Sequence, residues 1–410
     1  MSTVGQREIR TQKSVIDFFK HALDYAYIGH WKDREGNTAI EEAMLTDWLK
    51  RQGHSDKIIG KVLFELGKAA ALGGSKTLYD ANRDVYGLLR YGVKVKPEVG
   101  EQNITVWLID WSNPENNDFG IAEEVTIAGE NKKRPDIVIY VNGIALGVLE
   151  LKRSIVSVAE GIRQNLDSQK KVFIKPFYAT VQLVMAGNDT EGLRYSVIET
   201  PEKYWLRWKE SEAHPKAGDN PLLRELGQVC SKARLLELVH DFIVFDAGTK
   251  KTCRHNQYFG VRKAQERVGR REGGIIWHTQ GSGKSLIMVW LAKWIREHVR
   301  NSRVLIITDR TELDDQIEKV FNGVSEDIYR TKSGADLVSV LNESKEWLMC
   351  SLIHKFGASE EGDIDAFLDD IQSHLPNGFH AKGDIFVFVD ECHRTQSGKL
   401  HDAMKALLPG

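Results

Sequence analysis

The sequence predicts two α/β domains in one chain, and three observations carry that prediction. A short apolar run, Gly274–Trp277, opens into a glycine loop and then into a helix with one apolar face. Farther on, the continuous apolar run Ile385–Val389 ends in two adjacent acids, Asp390 and Glu391. Earlier, two apolar runs flank Asn142-Gly143, a hairpin signal, and carry carboxylates at their outer ends. Beyond about residue 255, GIIWH, SLIMVWLAKWIREHV, RVLIITD, TELDDQIEKVF and DIFVFVDE alternate strand with helix. That alternation is the pattern of a parallel sheet with crossover helices.

Composition sets the outer limits. The 410 residues suffice for two or three domains, each able to bury a core. With 41% apolar residues, ten Trp and fifteen Phe, the chain is not disordered or low-complexity. Lys plus Arg number 56 against 58 acids, so any basic track for nucleic acid must be local. Cys230, Cys253, Cys350 and Cys392 are far apart and form no C-x-x-C pair, which argues against a zinc ribbon or a disulfide framework. No apolar run approaches the roughly 20 residues of a membrane span, and MSTVGQREIRTQK lacks a signal-peptide core. A cytoplasmic protein with no membrane partner is expected.

Residues 1–200 read as helices followed by strands. Ile40–Lys50 and Ile58–Ala71 carry apolar residues at helical spacing, whereas Thr105–Asp110, Glu124–Ala128, Ile137–Val141 and Ile144–Leu151 read as strands. Residues 201–254 read as a helical linker. The polar stretch KESEAHPKAGDNP precedes an amphipathic helix from Pro221, with Leu222, Leu223, Leu226 and Val229 on one face. Leu235, Leu236, Val239 and Phe242 continue that pattern, and residues 255–410 form the second domain.

In the hairpin, Asp136 precedes one strand and Glu150 ends the other, with Lys152 two residues on and therefore on the same strand face as Glu150. Two such carboxylates can hold a Mg²⁺ that activates water and steadies a pentacovalent phosphate, with the Lys152 ammonium at the same centre. Register decides whether they meet. If Asn142-Gly143 were a two-residue turn, Asp136 would face Leu149 and point away from Glu150. An odd loop, with Gly143 left-handed in a bulge, brings Asp136, Glu150 and Lys152 to one face, and this is the expectation. Glu41 or Glu42, on IEEAMLTDWL, is either a further metal-binding carboxylate or plain helix surface.

The loop His278-Thr279-Gln280-Gly281-Ser282-Gly283-Lys284-Ser285 has the spacing of a phosphate cradle. Gly281 and Gly283 let backbone N–H groups curl around phosphate oxygens at a helix N-terminus, where the dipole favours anions. Lys284 then reaches the β and γ phosphates of ATP and the Ser285 hydroxyl ligates its Mg²⁺. The loop follows the A/T-x-x-G-x-G-K-[ST] variant common in helicase-type motors from its second position onward, with His278 standing where that variant has Ala or Thr and the usual loop its first glycine. Asp390 and Glu391 sit where ligands bind in parallel sheets, Asp390 for Mg²⁺ and Glu391 to orient the attacking water. Arg310 is either a DNA phosphate contact or an ordinary cation near a helix start capped by Thr311. Gln257, in RHNQYF, either reads an adenine edge or lies on the surface.

In the order KRPDIVIYVNGIALGVLELK, RHNQYFGVRKA, WHTQGSGKS, IITDRTELDDQ and FVDECHR, the chain resembles the restriction (motor) subunit of type I restriction enzymes. The resemblance spans most of the chain. It implies a PD-(D/E)xK restriction-endonuclease-like domain followed by RecA-like P-loop NTPase domains of helicase superfamily 2. It also implies ATP-driven translocation of double-stranded DNA, Mg²⁺-dependent cutting far from the recognition sequence, and assembly with methylation (M) and specificity (S) subunits. By that match Asp136, Glu150 and Lys152 are the nuclease residues and Gln257 reads adenine. Thr279–Ser285 is Walker A, and Asp390 with Glu391 is Walker B. The family's Q-x-x-x-Y element aligns with Gln164-Asn-Leu-Asp-Ser168, so Gln164 alone is carried over, with Ser168 where tyrosine is expected.

Leu407-Leu408-Pro409-Gly410 falls where such motors continue into a second RecA-like domain with its arginine finger. The sequence is therefore read as an N-terminal fragment that binds ATP and hydrolyses it poorly. Two other readings stay open: a different motor–nuclease fusion, such as a repair helicase or single-chain restriction enzyme, and a non-catalytic assembly module switched by ATP.

Overall fold

The computed structural model describes residues 3–390, apart from 99, 213, 280, 309–310, 325, 353–368, 372 and 377–378. Two compact units divide the chain, Met1–His255 and Asn256–Gly410. In the first, helix α1 (Thr3–His21) leads into β1 (Ala26–His30), α2 (Glu42–Arg51), α3 (Asp56–Ala70) and α4 (Leu78–Tyr91). The short ribbon β2 (Val93–Val95) and β3 (Ile104–Val106) precedes β4 (Phe119–Glu123), β5 (Ile137–Val141) and β6 (Ile144–Leu151). Helix α5 (Val158–Ser168), β7 (Leu183–Asn188) and β8 (Gly192–Ser196) complete a six-stranded sheet of order β1-β4-β5-β6-β7-β8.

The central strands read as continuous apolar runs because both faces are covered. Every residue of β5, β6 and β7 is buried. On one face α5 approaches closely, since a Cβ on Gly161 would lie 3.1 Å from the Ala186 Cβ. On the other, a Cβ on Gly187 would lie 2.4 Å from Leu222 Cδ1. Local chemistry starts the helices. Ser55 caps α3, Thr77 and Asp80 form a reciprocal capping box on α4, and Ser157 caps α5.

Several sequence expectations shift. The strand expected over Glu124–Ala128 is instead β4, ending at Glu123, because Glu124 adopts a left-handed φ of 51° that breaks the regular ladder, although Glu124 N and Val125 N still donate to Asp136 O and Pro135 O. Of the expected strand Thr105–Asp110 only Thr105 and Val106 belong to β3, and the sequence reading has no counterpart of α1 and α4. The stretch read as a linker, residues 201–254, packs into the first unit. Helices α6 (Pro221–Cys230) and α7 (Lys232–Asp241) bury Leu222, Leu226, Val229, Leu235 and Leu236, and β9 (Ile243–Asp246) pairs antiparallel with β10 (Thr249–Thr252). The apolar face of this segment is thus matched by the sheet.

Lys250, on β10, shows how firmly that segment is tied in. Its Nζ is buried and donates to Asn82 Oδ1 and Gln182 Oε1, each at 2.7 Å, with no carboxylate among these partners. Burial holds its pKa well below the ordinary lysine value. The unfolded chain therefore binds a proton that the folded chain lacks, and stability rises with pH until the unfolded lysine itself titrates near pH 10. Denaturant unfolding between pH 7 and 10 should show this rise, with a slope of up to about 1.4 kcal/mol per pH unit. Lys250→Met should flatten it.

The second unit holds α8 (His255–Gly269), α9 (Lys284–His298), β11 (Ser302–Thr308), α10 (Thr311–Gly323), β12 (Tyr329–Arg330), α11 (Gly334–Asn342), β13 (Leu348–Leu352) and β14 (Asp384–Val389). Its sheet, β12-β13-β11-β14, is parallel throughout. Arg303 of β11 donates to the carbonyls of Val340, Leu341, Glu346 and Lys382, satisfying the C-terminal end of α11. Gly274–Trp277, expected as the buried strand before the glycine loop, forms no strand. Ile275 and Trp277 are 75% and 81% exposed. Four apolar residues cannot by composition alone distinguish a paired strand from an exposed segment.

Candidate functional site

The hairpin settles its own register in an unexpected way. Asn142 and Gly143, at φ 52° and 81°, form a two-residue turn with Val141 paired to Ile144, so the expected odd loop is absent. Asn142 is fixed by bonds to Leu108 O and Asn117 Oδ1, and a Cβ on Gly143 would lie 2.8 Å from Leu45 N. The extra residue sits higher up. Tyr140 pairs with Ala145 but Ile139 pairs with Gly147, leaving Leu146 in a bulge whose carbonyl accepts from Gln182 N. Beyond the bulge Ile137 pairs with Leu149, so Asp136 comes opposite Glu150 on one face. The predicted juxtaposition is met by a bulge in the strand, not by the loop.

Glu150 is fully buried, and Asp136 is partly exposed at the strand mouth. Both belong to the face covered by α5, since Glu150 pairs with Ala186, against which Gly161 packs. Gln164 Nε2 donates to Glu150 Oε2 at 2.6 Å, and Leu151 N donates to Asp136 Oδ2 at 2.6 Å. Glu150 Oε1 is buried with no hydrogen-bond partner. Lys152 Nζ donates to Leu151 O at 2.9 Å, and its charge acts on both carboxyls. The sequence-predicted residues Asp136, Glu150, Lys152 and Gln164 therefore form one cluster.

Electrostatics define what the cluster lacks. Burial raises the Asp136 carboxyl to about 6, opposed by the Leu151 N–H and by Lys152. Burial, and then Asp136, push Glu150 well above the usual carboxylate range. Two acids that burial and proximity make costly to ionise, one with an unpaired buried oxygen, are the donor set that a hard divalent cation satisfies. Asp136 and Glu150 would hold it. Sequence reasoning missed Glu124, a carboxylate that acts on Asp136 and pairs with Arg134 at 2.5 Å, because it was placed inside a strand. Glu41 lies at the opposite end of the hairpin. Its amide donates to Gly143 O and its carboxylate is engaged by Arg34 and Thr38, whereas Glu42 is exposed on the surface.

In the second unit, Gly281 and Gly283 take left-handed φ values of 75° and 81°, and Lys284 and Ser285 open α9. Only residues that tolerate positive φ let the loop fold back on the helix start. Gln257 is buried and donates to Ser282 O at 2.8 Å and Gly283 O at 3.3 Å, so it is not surface. Ser282 Oγ and His278 Nδ1 are buried without a hydrogen-bond partner, while Thr279 is exposed. Burial and Lys284 lower the His278 pKa. Asp390 is buried at the carboxyl end of β14, and its amide donates to Ile307 O of β11. The helix-start donors, Lys284 and the buried Ser282 hydroxyl suit a polyphosphate with its Mg²⁺. Gln280, Glu391, Arg310 and Cys392 lie outside the described residues.

Two α/β units, one centred on buried opposed carboxylates and one on a glycine phosphate loop, define a chain of nuclease-like and NTPase-like parts. Residues 5–203 match the family described as type I restriction enzyme R protein N terminus, and residues 256–410 match SWI2/SNF2 ATPase. The chain is similar to a putative type I restriction enzyme MjaIXP endonuclease subunit of Methanocaldococcus jannaschii, 28% identical over 79% of this chain and 33% of that protein. It is also similar to the type I restriction enzyme HindI endonuclease subunit of Haemophilus influenzae, 28% identical over 78% of this chain and 32% of the relative. The SauMRSORF196P endonuclease subunit of Staphylococcus aureus is 23% identical over 87% of the chain and 37% of its own length. The chain thus spans about a third of the length of these relatives. No helix among the described residues is long and apolar enough to cross a membrane.

Proposed function

We propose that this chain acts within the restriction subunit of a type I restriction enzyme, cutting double-stranded DNA with residues 1–200 and driving its translocation with ATP at residues 255–410. The carrying observation is the pairing of Asp136 with Glu150 on one sheet face, with Glu150 Oε1 buried and unpaired. A Mg²⁺ held there supplies Lewis acidity for phosphodiester hydrolysis. Gln164 fixes the Glu150 carboxylate through Oε2 and leaves Oε1 for the cation. Asp136 stays at the mouth of the strand pair, where the DNA backbone arrives. Lys152 brings positive charge to the scissile phosphate.

In the second unit, Gln257 steadies the loop carbonyls and contributes to reading adenine. Lys284 and Ser285 take the phosphates and their Mg²⁺, and Asp390 completes the metal's surroundings with Glu391 as the water-orienting acid. Translocation then delivers DNA to the first unit in a cytoplasmic complex with methylation and specificity subunits. The test uses the full-length subunit assembled with those partners. With ATP and Mg²⁺ it should displace a DNA triplex and cut a plasmid carrying the recognition site. Gln164→Ala should slow cutting by about 10–100-fold, the range for groups that orient a metal ligand, while triplex displacement is unchanged. Cutting at the wild-type rate in that variant would remove Gln164 from the site.

A further inference from the structure

Any basic track in so evenly charged a chain has to be local, and the fold assembles one from two segments far apart in sequence. The run Lys132-Lys133-Arg134 leads directly into Asp136, while Lys170 and Lys171 follow α5, whose Gln164 donates to Glu150 at 2.6 Å. Backbone and ring contacts tie the two segments together. Asn131 N and Nδ2 both donate to Val172 O, at 3.1 and 2.8 Å, and Lys133 Nζ stands 4.0 Å from the centre of the Phe173 ring. A Cβ on Gly129 would lie 2.2 Å from Phe173 O, so the two backbones approach closely there. Arg134 is neutralised by Glu124 and Lys170 by Asp167, each at 2.5 Å. Lys132 and Lys171 are exposed and pair with no carboxylate among the described residues, and the acid left over on these segments is Glu130, also exposed. Cations gathered by backbone packing rather than by counter-charges raise the local potential, and they do so at the rim of a carboxylate site that would otherwise repel a polyanion.

Resting on the carboxylate-site reading, we propose that these two segments form one surface that holds the phosphate backbone of duplex DNA beside Asp136, with Lys132 and Lys171 as its phosphate contacts. Such contacts fix the position of the duplex and carry no base information, so the surface is indifferent to sequence. Asp136 then meets a backbone that is already held.

Photo-crosslinking of the full-length subunit to a short DNA duplex tests the surface directly. Val172, on the joined segments, and Trp107 are each 47% exposed, but Trp107 adjoins Leu108, whose carbonyl accepts from Asn142 at the turn end of the hairpin, away from Asp136. Replacing Val172 by p-benzoylphenylalanine should give a crosslink to the duplex, and the same replacement of Trp107 should not. Each phosphate contact adds about 0.9 to the log–log dependence of binding on salt. At sub-saturating DNA, between about 50 and 200 mM salt, the Val172 crosslink should therefore lose about tenfold more yield with both lysines present than in the double variant Lys132→Ala, Lys171→Ala. Lys132→Arg with Lys171→Arg should restore the steeper dependence. No crosslink at Val172, an equal one at Trp107, or an unchanged salt dependence in the alanine pair overturns the proposal. Asp136→Ala separates the surface from the reading beneath it: cutting by the assembled enzyme should vanish while the Val172 crosslink persists. Cutting that survives Asp136→Ala with the crosslink retained sinks the carboxylate site alone.

Discussion

Glu150→Gln is expected to abolish DNA cutting by the assembled enzyme and, at the same time, to make the metal-free chain more stable above pH 5. The cutting loss follows from charge: the amide keeps an oxygen for Gln164 but cannot offer the anionic Oε1 to a divalent cation. The stability gain follows from the raised folded-state pKa of Glu150 and of Asp136, the latter at about 6. A carboxyl whose pKa is higher folded than unfolded contributes stability fully below its unfolded pKa near 4, and that contribution is lost as pH rises through the folded value. Wild-type stability should therefore fall from about pH 4 upward, by up to about 1.4 kcal/mol per pH unit per group in the affected window. The variant should lose the Glu150 part of that fall. Denaturant melts at pH 5 and 8, without metal, read the difference directly. Adding Mn²⁺ should raise wild-type stability with concentration and leave the variant unmoved. A Glu150→Gln enzyme that still cuts would dismiss the site.

The same residues show what a sequence can carry and where it stops. Asp136, Glu150 and Lys152 stand out in the sequence because Pro135-Asp136, two continuous apolar strands and the basic run Lys132–Arg134 surround a Glu-x-Lys that alone would be commonplace, and their common face is expected from it. The device that puts them there was not. Asn-Gly does make the two-residue turn its composition favours, and the correction comes from an extra residue at Leu146, a property of the ladder that no local signal announces. Glu124 was invisible for a related reason: it comes beside Asp136 through a left-handed backbone at a strand end. The segment 201–254 was misjudged because polar residues at its start resemble a tether, whereas its apolar face already has a sheet to cover. The glycine loop needed the least inference, since positive φ at Gly281 and Gly283 is what those residues are chosen for.

Lys284→Ala should stop the motor and, through it, the nuclease, although the two lie in different units. Lys284 is the first residue of α9, directly after a left-handed Gly283, so its ammonium stands where helix-start N–H groups already favour anions. Bringing a polyphosphate into that loop concentrates negative charge that the backbone dipoles alone offset only in part. Removing one preorganised charge-stabilising group from such a site typically costs about 10²–10³ in rate. ATP hydrolysis by the full-length assembled enzyme should fall by at least that factor, and triplex displacement should vanish. On the proposed coupling of motor to nuclease, plasmid cutting should vanish with it. Mn²⁺ titration of the same variant should be unchanged, since Asp136, Glu150 and Gln164 belong entirely to the first unit. Site-dependent cutting that survives Lys284→Ala would mean that severing the strand does not require the motor, and the mechanical coupling between the two activities would have to be abandoned.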